Sequence, residues 1–507
     1  MVPRNGGNSE LLDKLYPDPL STGVVALPGP TSASSRALLT LLRHNRHHHH
    51  VFFNDQGYHN LGASPEIMER AYKTHDHLKP AFNSPEPITD KNFMQRLGDP
   101  QYYDAYLSYF SEYLRDHTPN EAFERFIFSP SSNFNPDSAA NDLKGVRLLA
   151  GVVHPFIHLG HGFEFGLPGH VAEGLAWTAV HQCKQTELVP PSFFARPPGP
   201  GILAKLTSGL WISKVITPAL AEKRPTFAFL RRIRDHPKFA RNSLGHSSAG
   251  IDSLYAAVLS VGDILTALVS EWAEEWLADT RGDADIEKRL EGMVEEVVWG
   301  HVVWYGVRGW HTRGDGGRQL NADFFVAHLV TSAHFLLPLV VPSKHAPYPP
   351  VSLASRLTLL KAYLATSTAW YIVRGNAALP IEEFYSATSD RLTAPPAASA
   401  PNPASRKALS APGGPWARII ANAVAHPDEH LVKAVRSLAT FATRWGGRPT
   451  GYYSGGGEDG LEGREALDGT LFVRVANLTL DRLGWAHESG KDLNNWDCDG
   501  DLHLLVR

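Results

Sequence analysis

The sequence predicts a mainly α-helical fold: one large helical domain with long Pro/Gly-rich loops and few or no strands. Three observations carry this. Apolar and aromatic residues recur at helical spacing over long stretches, as in residues 99–116, where Tyr102, Tyr106, Tyr109 and Tyr113 follow at steps of three and four. Helix-start chemistry stands ahead of such stretches; Ser64-Pro65-Glu66 offers an N-cap, a proline at N1 and an acid in the first turn. The breaks are rich in Pro, Gly and Ser, at 190–201, 342–350 and 393–415. At 507 residues, with 43% hydrophobic and 20% charged, the chain is long enough for a sizeable core and ordinary for a globular protein. We divide it into an irregular N-terminal segment (1–35), a helical core (36–390), a Pro/Ala/Ser loop (391–415) and C-terminal helices packing on the core (416–507).

Taken in order, residues 35–43 form a short helix, and the run His47–His50 resembles an expression tag but lies inside the chain. A turn at 54–57 leads to His59, just ahead of the helix that starts at Ser64. Residues 99–116 and 119–128 are helical; the tyrosine stripe is either core packing or an aromatic wall for a planar substrate. Further helices follow at 168–181, 251–279, 285–305, 321–338, 351–374, 416–445 and 471–483. The acids of 251–305, among them Glu295 and Glu296, sit at helical spacing and read as facing water.

The stretch 151–166, GVVHPFIHLGHGFEFG, stands apart. From Gly151 to Gly162 every side chain is apolar or absent except His154, His158 and His161, at i, i+4 and i+7. Burying an imidazole without a partner costs about 1–3 kcal/mol, so several on one face call for a shared partner. A divalent metal is one such partner and backbone carbonyls are another. Pro155 disfavours helix at His154, so either a helix begins there or an earlier one kinks. Gly160 and Gly162 suggest that this helix ends nearby. Glu164 and Glu173 read as partners for ring N–H groups or as ordinary surface acids. His328 lies buried in the apolar run 321–338 and shares no face with another ligand-type residue there; His334 faces elsewhere.

Other chemistry is narrowed by what the sequence lacks. There is no G-x-G-x-x-G after a strand, no Walker A and no H-E-x-x-H. Two cysteines build neither a disulfide framework nor a thiolate cage and fit a reducing, cytoplasmic setting. A net charge of −4 without a dense Lys/Arg block argues against nucleic acid. No run of 18 apolar residues and no apolar leader appear, so neither a membrane span nor a signal peptide is expected.

Several blocks together resemble the fungal questin oxidase-like family: HHVFFNDQGYHN (49–60), GVVHPFIHLGHGFEF (151–165), VAEGLA (171–176), DFFVAHLVTS (323–332) and YIVRGNAALP (371–380), with an echo in LFVRVANLTLDRLGW near the end. The resemblance implies an oxidoreductase that uses O2 on aromatic, anthraquinone-like polyketides. It further implies a mononuclear iron (Fe2+) held by four histidines and a carboxylated lysine. Carried over, the histidines are His59, His154, His158 and His328. The lysine is Lys361, although the register of its helix sets the family position nearer Tyr363, about 200° away. Two alternatives stay open. One is a Baeyer–Villiger monooxygenase that consumes NADPH, through a partner reductase since no nucleotide fingerprint is present. The other is a non-catalytic helical homologue that binds a metal such as zinc.

Overall fold

A computed structural model describes residues 9–19, 30–49, 56–74, 83–133, 144–182, 184–194, 225–240, 250–312, 318–341, 343–344, 346–394, 407–455, 459–485 and 496–498. His50, the 54–55 part of the expected turn, residues 395–406 of the Pro/Ala/Ser loop and most of residues 1–35 lie outside these.

The fold is mainly α. The helices that position the site are α1 (Ser32–His48), α2 (Gln56–Asn60), α3 (Tyr103–Asp116), α4 (Ala150–Phe165), α5 (Pro168–Val180), α6 (Ile251–Leu277), α7 (Asp283–Val302), α8 (Phe324–Ala333), α9 (Leu353–Val373), α10 (Glu429–Trp445) and α11 (Leu471–Leu483). Strands β1 (Trp310–Thr312) and β2 (Arg318–Leu320) form one antiparallel hairpin, with Trp310 opposite Leu320. Within the segment expected to be irregular, Ser9–Leu15 is a helix, and it delivers Leu15 and Tyr16, both fully buried, to the core.

Helix α4 lies at the centre, packed against α5 and α8, and α8 in turn packs on α7, α9 and α10. Glycines set the α4–α5 approach. A Cβ on Gly162 would lie 2.6 Å from Val171 Cγ2, and one on Gly174 would lie 2.8 Å from the Leu159 Cβ. This is why Gly160 and Gly162 do not end the helix as expected: they are contact points inside it, and α4 runs on to Gly166, whose left-handed backbone (φ 69) caps it. Of the two alternatives at Pro155, a kink is the one found, but it lies just before it, at 151–153. Gly151, Val152 and Val153 take left-handed φ values of 57, 58 and 57, so the straight part of α4 starts at His154. β-Branched residues are costly there, by about 1–3 kcal/mol each, and both valines are held by burial.

Two further expectations change on folding. Glu295 and Glu296 are buried: Glu295 accepts from Arg448 and from the Tyr453 hydroxyl, and Glu296 from the Thr226 N–H. Helix α6 is long and apolar enough to cross a membrane by length and composition, but it packs along α9 and the 225–235 helix. Tyr102 and Tyr106 of the tyrosine stripe are core, whereas Tyr109 and Tyr113 line a surface cleft of about 720 Å³ that includes none of the four candidate histidines.

Candidate metal centre

The left-handed turn before α4 aims His154. Its Nδ1–H donates to the Gly151 carbonyl at 2.7 Å, which leaves the Nε2 lone pair outward. On α8, His328 Nδ1–H donates to the Phe324 carbonyl at 2.7 Å and is fixed in the same tautomer. The two Nε2 atoms face each other at 3.1 Å, with ring planes at 86°. Burial, reinforced by the charges of Lys433 and His430, holds His154 down at about 3; burial, then His154 and His430, holds His328 well below the usual imidazole value. Both rings are therefore neutral near pH 7, and two lone pairs oppose one another. Such an opposed pair is a donor set that a divalent cation could share. Imidazole nitrogens about 2.1 Å from a divalent metal, at roughly a right angle, stand about 3.0 Å apart.

Helix α10 supplies the flank. Asp428 caps it, accepting from the His430 N–H at 2.8 Å and lying 3.2 Å from His430 Nδ1. The His430 ring sits 5.3 Å from that of His328, and its Nε2 lies 3.8 Å from Glu429. Lys433, nearly buried and paired with Glu429 at 2.8 Å, stands close enough to act electrostatically on both His154 and His328. The carboxylate of Asp428 also accepts from the Trp496 indole at 2.7 Å, which brings that ring against His430 and Phe324.

His158, one turn along α4, turns to α5 instead. Its Nε2–H donates to Glu173 at 2.9 Å, its ring stacks on His170 at 3.7 Å, and its Nδ1 is buried without a hydrogen-bond partner. Glu173 also accepts from the Tyr16 hydroxyl. Burial pushes Glu173 up, but the His158 hydrogen bond and neighbouring His170 outweigh it and hold the carboxyl at about 2. His158, His170 and Glu173 bring three ligand-type atoms within 4.8 Å of one another. Trp177 separates this trio from the His154–His328 pair, stacked on His154 at 5.7 Å and edge-on to His158 at 5.9 Å.

His59 lies on α2 with Nε2 3.0 Å from the Ser35 hydroxyl and Nδ1 without a partner; burial and then Arg436 lower it to about 4. Among the described residues no hydrogen bond or ring contact joins His59 to the other three histidines. Lys361 is turned away from them: its ammonium donates to the Phe193 carbonyl at 2.8 Å and lies over the Phe193 ring, and burial lowers its pKa to about 8. Tyr363, the alternative register, does reach α8, with its hydroxyl on the Leu329 carbonyl at 2.9 Å. His161 and His334 belong to a buried group around Glu164 and Arg436 that adjoins the trio, with the His161 ring edge-on to His170 at 6.3 Å.

Sequence reasoning missed His170, His430 and Lys433. His170 carried a weak signal, an i, i+3 pairing with Glu173 on an apolar helix. His430 and Lys433 carried none, because DEHLVK reads as an ordinary capped, solvated helix start.

The buried neutral imidazoles give the metal-free protein a pH dependence. The folded values lie below that of free imidazole, so the unfolded chain takes up these protons first as pH falls. Stability is expected to be fully present above about 6.5 and to decline from there towards about 3. Urea midpoints measured across that window test this; a flat profile would mean that these rings are not neutral and buried in solution.

A family model described as questin oxidase-like matches residues 44–438. The chain is 24% identical over 425 residues to a questin oxidase of Aspergillus terreus, covering 78% of each protein. It is 23% identical over 383 residues to the Baeyer-Villiger monooxygenase dmxR6 of a Cryptosporiopsis species, 71% of this chain and 75% of that protein. A higher identity, 32% over 176 residues, is found with the Baeyer-Villiger monooxygenase AacuH of Aspergillus aculeatus; that match covers 30% of this chain and 34% of the relative, about a third of its length.

Proposed function

Because the chain belongs to the questin oxidase-like family, we propose that it is an oxygenase of secondary metabolism that uses O2 at a single histidine-bound iron to oxidise or cleave an anthraquinone-like aromatic polyketide. One observation carries this reading above the rest: the neutral His154 and His328 direct their Nε2 lone pairs at each other across 3.1 Å. His430, held by Asp428, is the third ligand. His59 and His158 lie apart from this cluster, His59 beside the Ser35 hydroxyl and His158 on Glu173. Lys361 does not serve as the lysine implied by the family, since its ammonium is engaged by the Phe193 carbonyl. When bound, the iron supplies O2 binding and activation at coordination positions that the protein leaves open. The chain's own residues orient and exclude. Gly151 and Phe324 carbonyls fix the ring tautomers, Asp428 fixes His430, and Trp177, Phe324 and Trp496 offer flat apolar surface to a planar substrate.

Two further readings rest on particular observations. The names of the relatives favour a Baeyer–Villiger insertion; on that reading we infer NADPH as reductant, delivered by a partner reductase. The compact His158–His170–Glu173 trio favours a metal there instead. Elemental analysis of native protein, together with labelled O2, separates them. About one iron per chain and labelled product are expected. Two labelled atoms indicate a dioxygenase, and one atom with NADPH consumption indicates the monooxygenase. Zinc without oxygen uptake on any quinone would overturn the oxygenase reading.

A further inference from the structure

The exposed end of α1 carries a second group of histidines that takes no part in the buried centre. His44 and His48 lie one turn apart on the same face, with rings stacked at 3.9 Å and planes within 11°. The C-cap residue His49 brings a third ring to 6.5 Å from that of His44. Tyr72 stands behind them, its hydroxyl 2.7 Å from His44 Nδ1 and its ring edge-on to both His44 and His49. His48 Nδ1–H donates to the His44 carbonyl at 2.9 Å, so its Nε2 keeps the lone pair. His44 is exposed, and His48 and His49 are half-buried.

We propose that His44 and His48 form an exchangeable surface site for a divalent transition cation. Side chains at i and i+4 reach one cation with a small rotation about their own bonds. A neutral imidazole set selects borderline ions such as Zn2+, Ni2+ and Cu2+ over Mg2+ and Ca2+, which prefer oxygen donors. Partial exposure gives such an ion direct access from solvent, whereas the buried centre is reached only through the protein. Affinity should follow Cu2+ above Ni2+ above Mn2+. The site stands on its own geometry and does not depend on the oxygenase reading.

Full-length, chelator-stripped protein titrated with Ni2+ tests it. The variant H44Q/H48Q is expected to lose one rapidly exchanging equivalent relative to wild type, and H154A/H328A is expected to keep that equivalent. The single variant His48→Gln should weaken Ni2+ binding in the same direction, which guards against a fold change in the double variant. An unchanged Ni2+ stoichiometry and affinity in H44Q/H48Q would overturn the proposal, as would loss of the same equivalent in H154A/H328A.

Discussion

Replacing His154 and His328 together by alanine is expected to reduce bound iron from about one equivalent per chain to none and to abolish oxygen-dependent turnover. The pair meets with its lone pairs opposed, and each ring is locked in its tautomer by a backbone carbonyl. Removing both rings takes from the centre the two nitrogens that face each other. A metal that binds only the native state stabilises it by mass action, about 2.7 kcal/mol at a hundredfold excess over Kd. The double variant should therefore lose the metal-dependent rise in unfolding midpoint, while its chelator-treated form should lie much closer to chelator-treated wild type. Undiminished iron would rule out this centre. If iron were instead lost in a Glu173→Ala variant, it would belong to the His158–His170–Glu173 trio.

The second large effect concerns what holds α8 in place. Asp323 is fully buried at its N-terminus. It accepts from the Phe325 and Val326 N–H groups at 3.0 and 3.1 Å, from Arg374 Nε at 2.8 Å and from Arg308 Nη1 at 3.3 Å. Arg374 also donates to the Cys498 carbonyl at 2.8 Å, and the Asp497 backbone pairs with Ala322 and Phe324 on either side of Asp323. Asp323→Ala removes at once the helix cap and a counterion shared by two buried guanidinium groups, of which Arg374 keeps Asp497 at 3.7 Å. We expect a loss of about 3–5 kcal/mol from the charge and about 1 kcal/mol from the cap, read from urea denaturation. Asp323→Asn keeps a cap acceptor and nearly the same volume, so the difference between the variants measures the cap. His328 lies only five residues beyond Asp323, and iron affinity should fall with the same substitutions. A change below about 1 kcal/mol in Asp323→Ala would show that the cluster is solvated or rearranged in solution.

Much of this was readable along the chain. The break in the helix ahead of Pro155 and the burial of His158 follow from neighbouring residues. The blocks 323–332 and 371–380 were matched as family pieces, yet their connection through Asp323 and Arg374 had no local signature: an aspartate at a helix start looks the same whether it caps alone or also neutralises two arginines. Glu295 and Glu296 were read as solvated for the same reason, since periodicity assigns a residue to a face and not to a neighbour. Lys361 illustrates the cost of a small register uncertainty. Two positions on a helix are about 200°, and the side chain faces Phe193 instead of α8.

By itself, the sequence determined the helical class, the breaks between helices, the family, and a buried run of histidines that needed partners. Local spacing and side-chain chemistry suffice for these. Only the tertiary structure decided which imidazoles meet: His154 with His328 across two helices, His158 with His170 and Glu173 behind Trp177, and His430 and Lys433 arriving from a helix about a hundred residues beyond α8 in sequence. Helix packing settles such encounters, because the facing residues are distant along the chain and are brought together only when the apolar faces close.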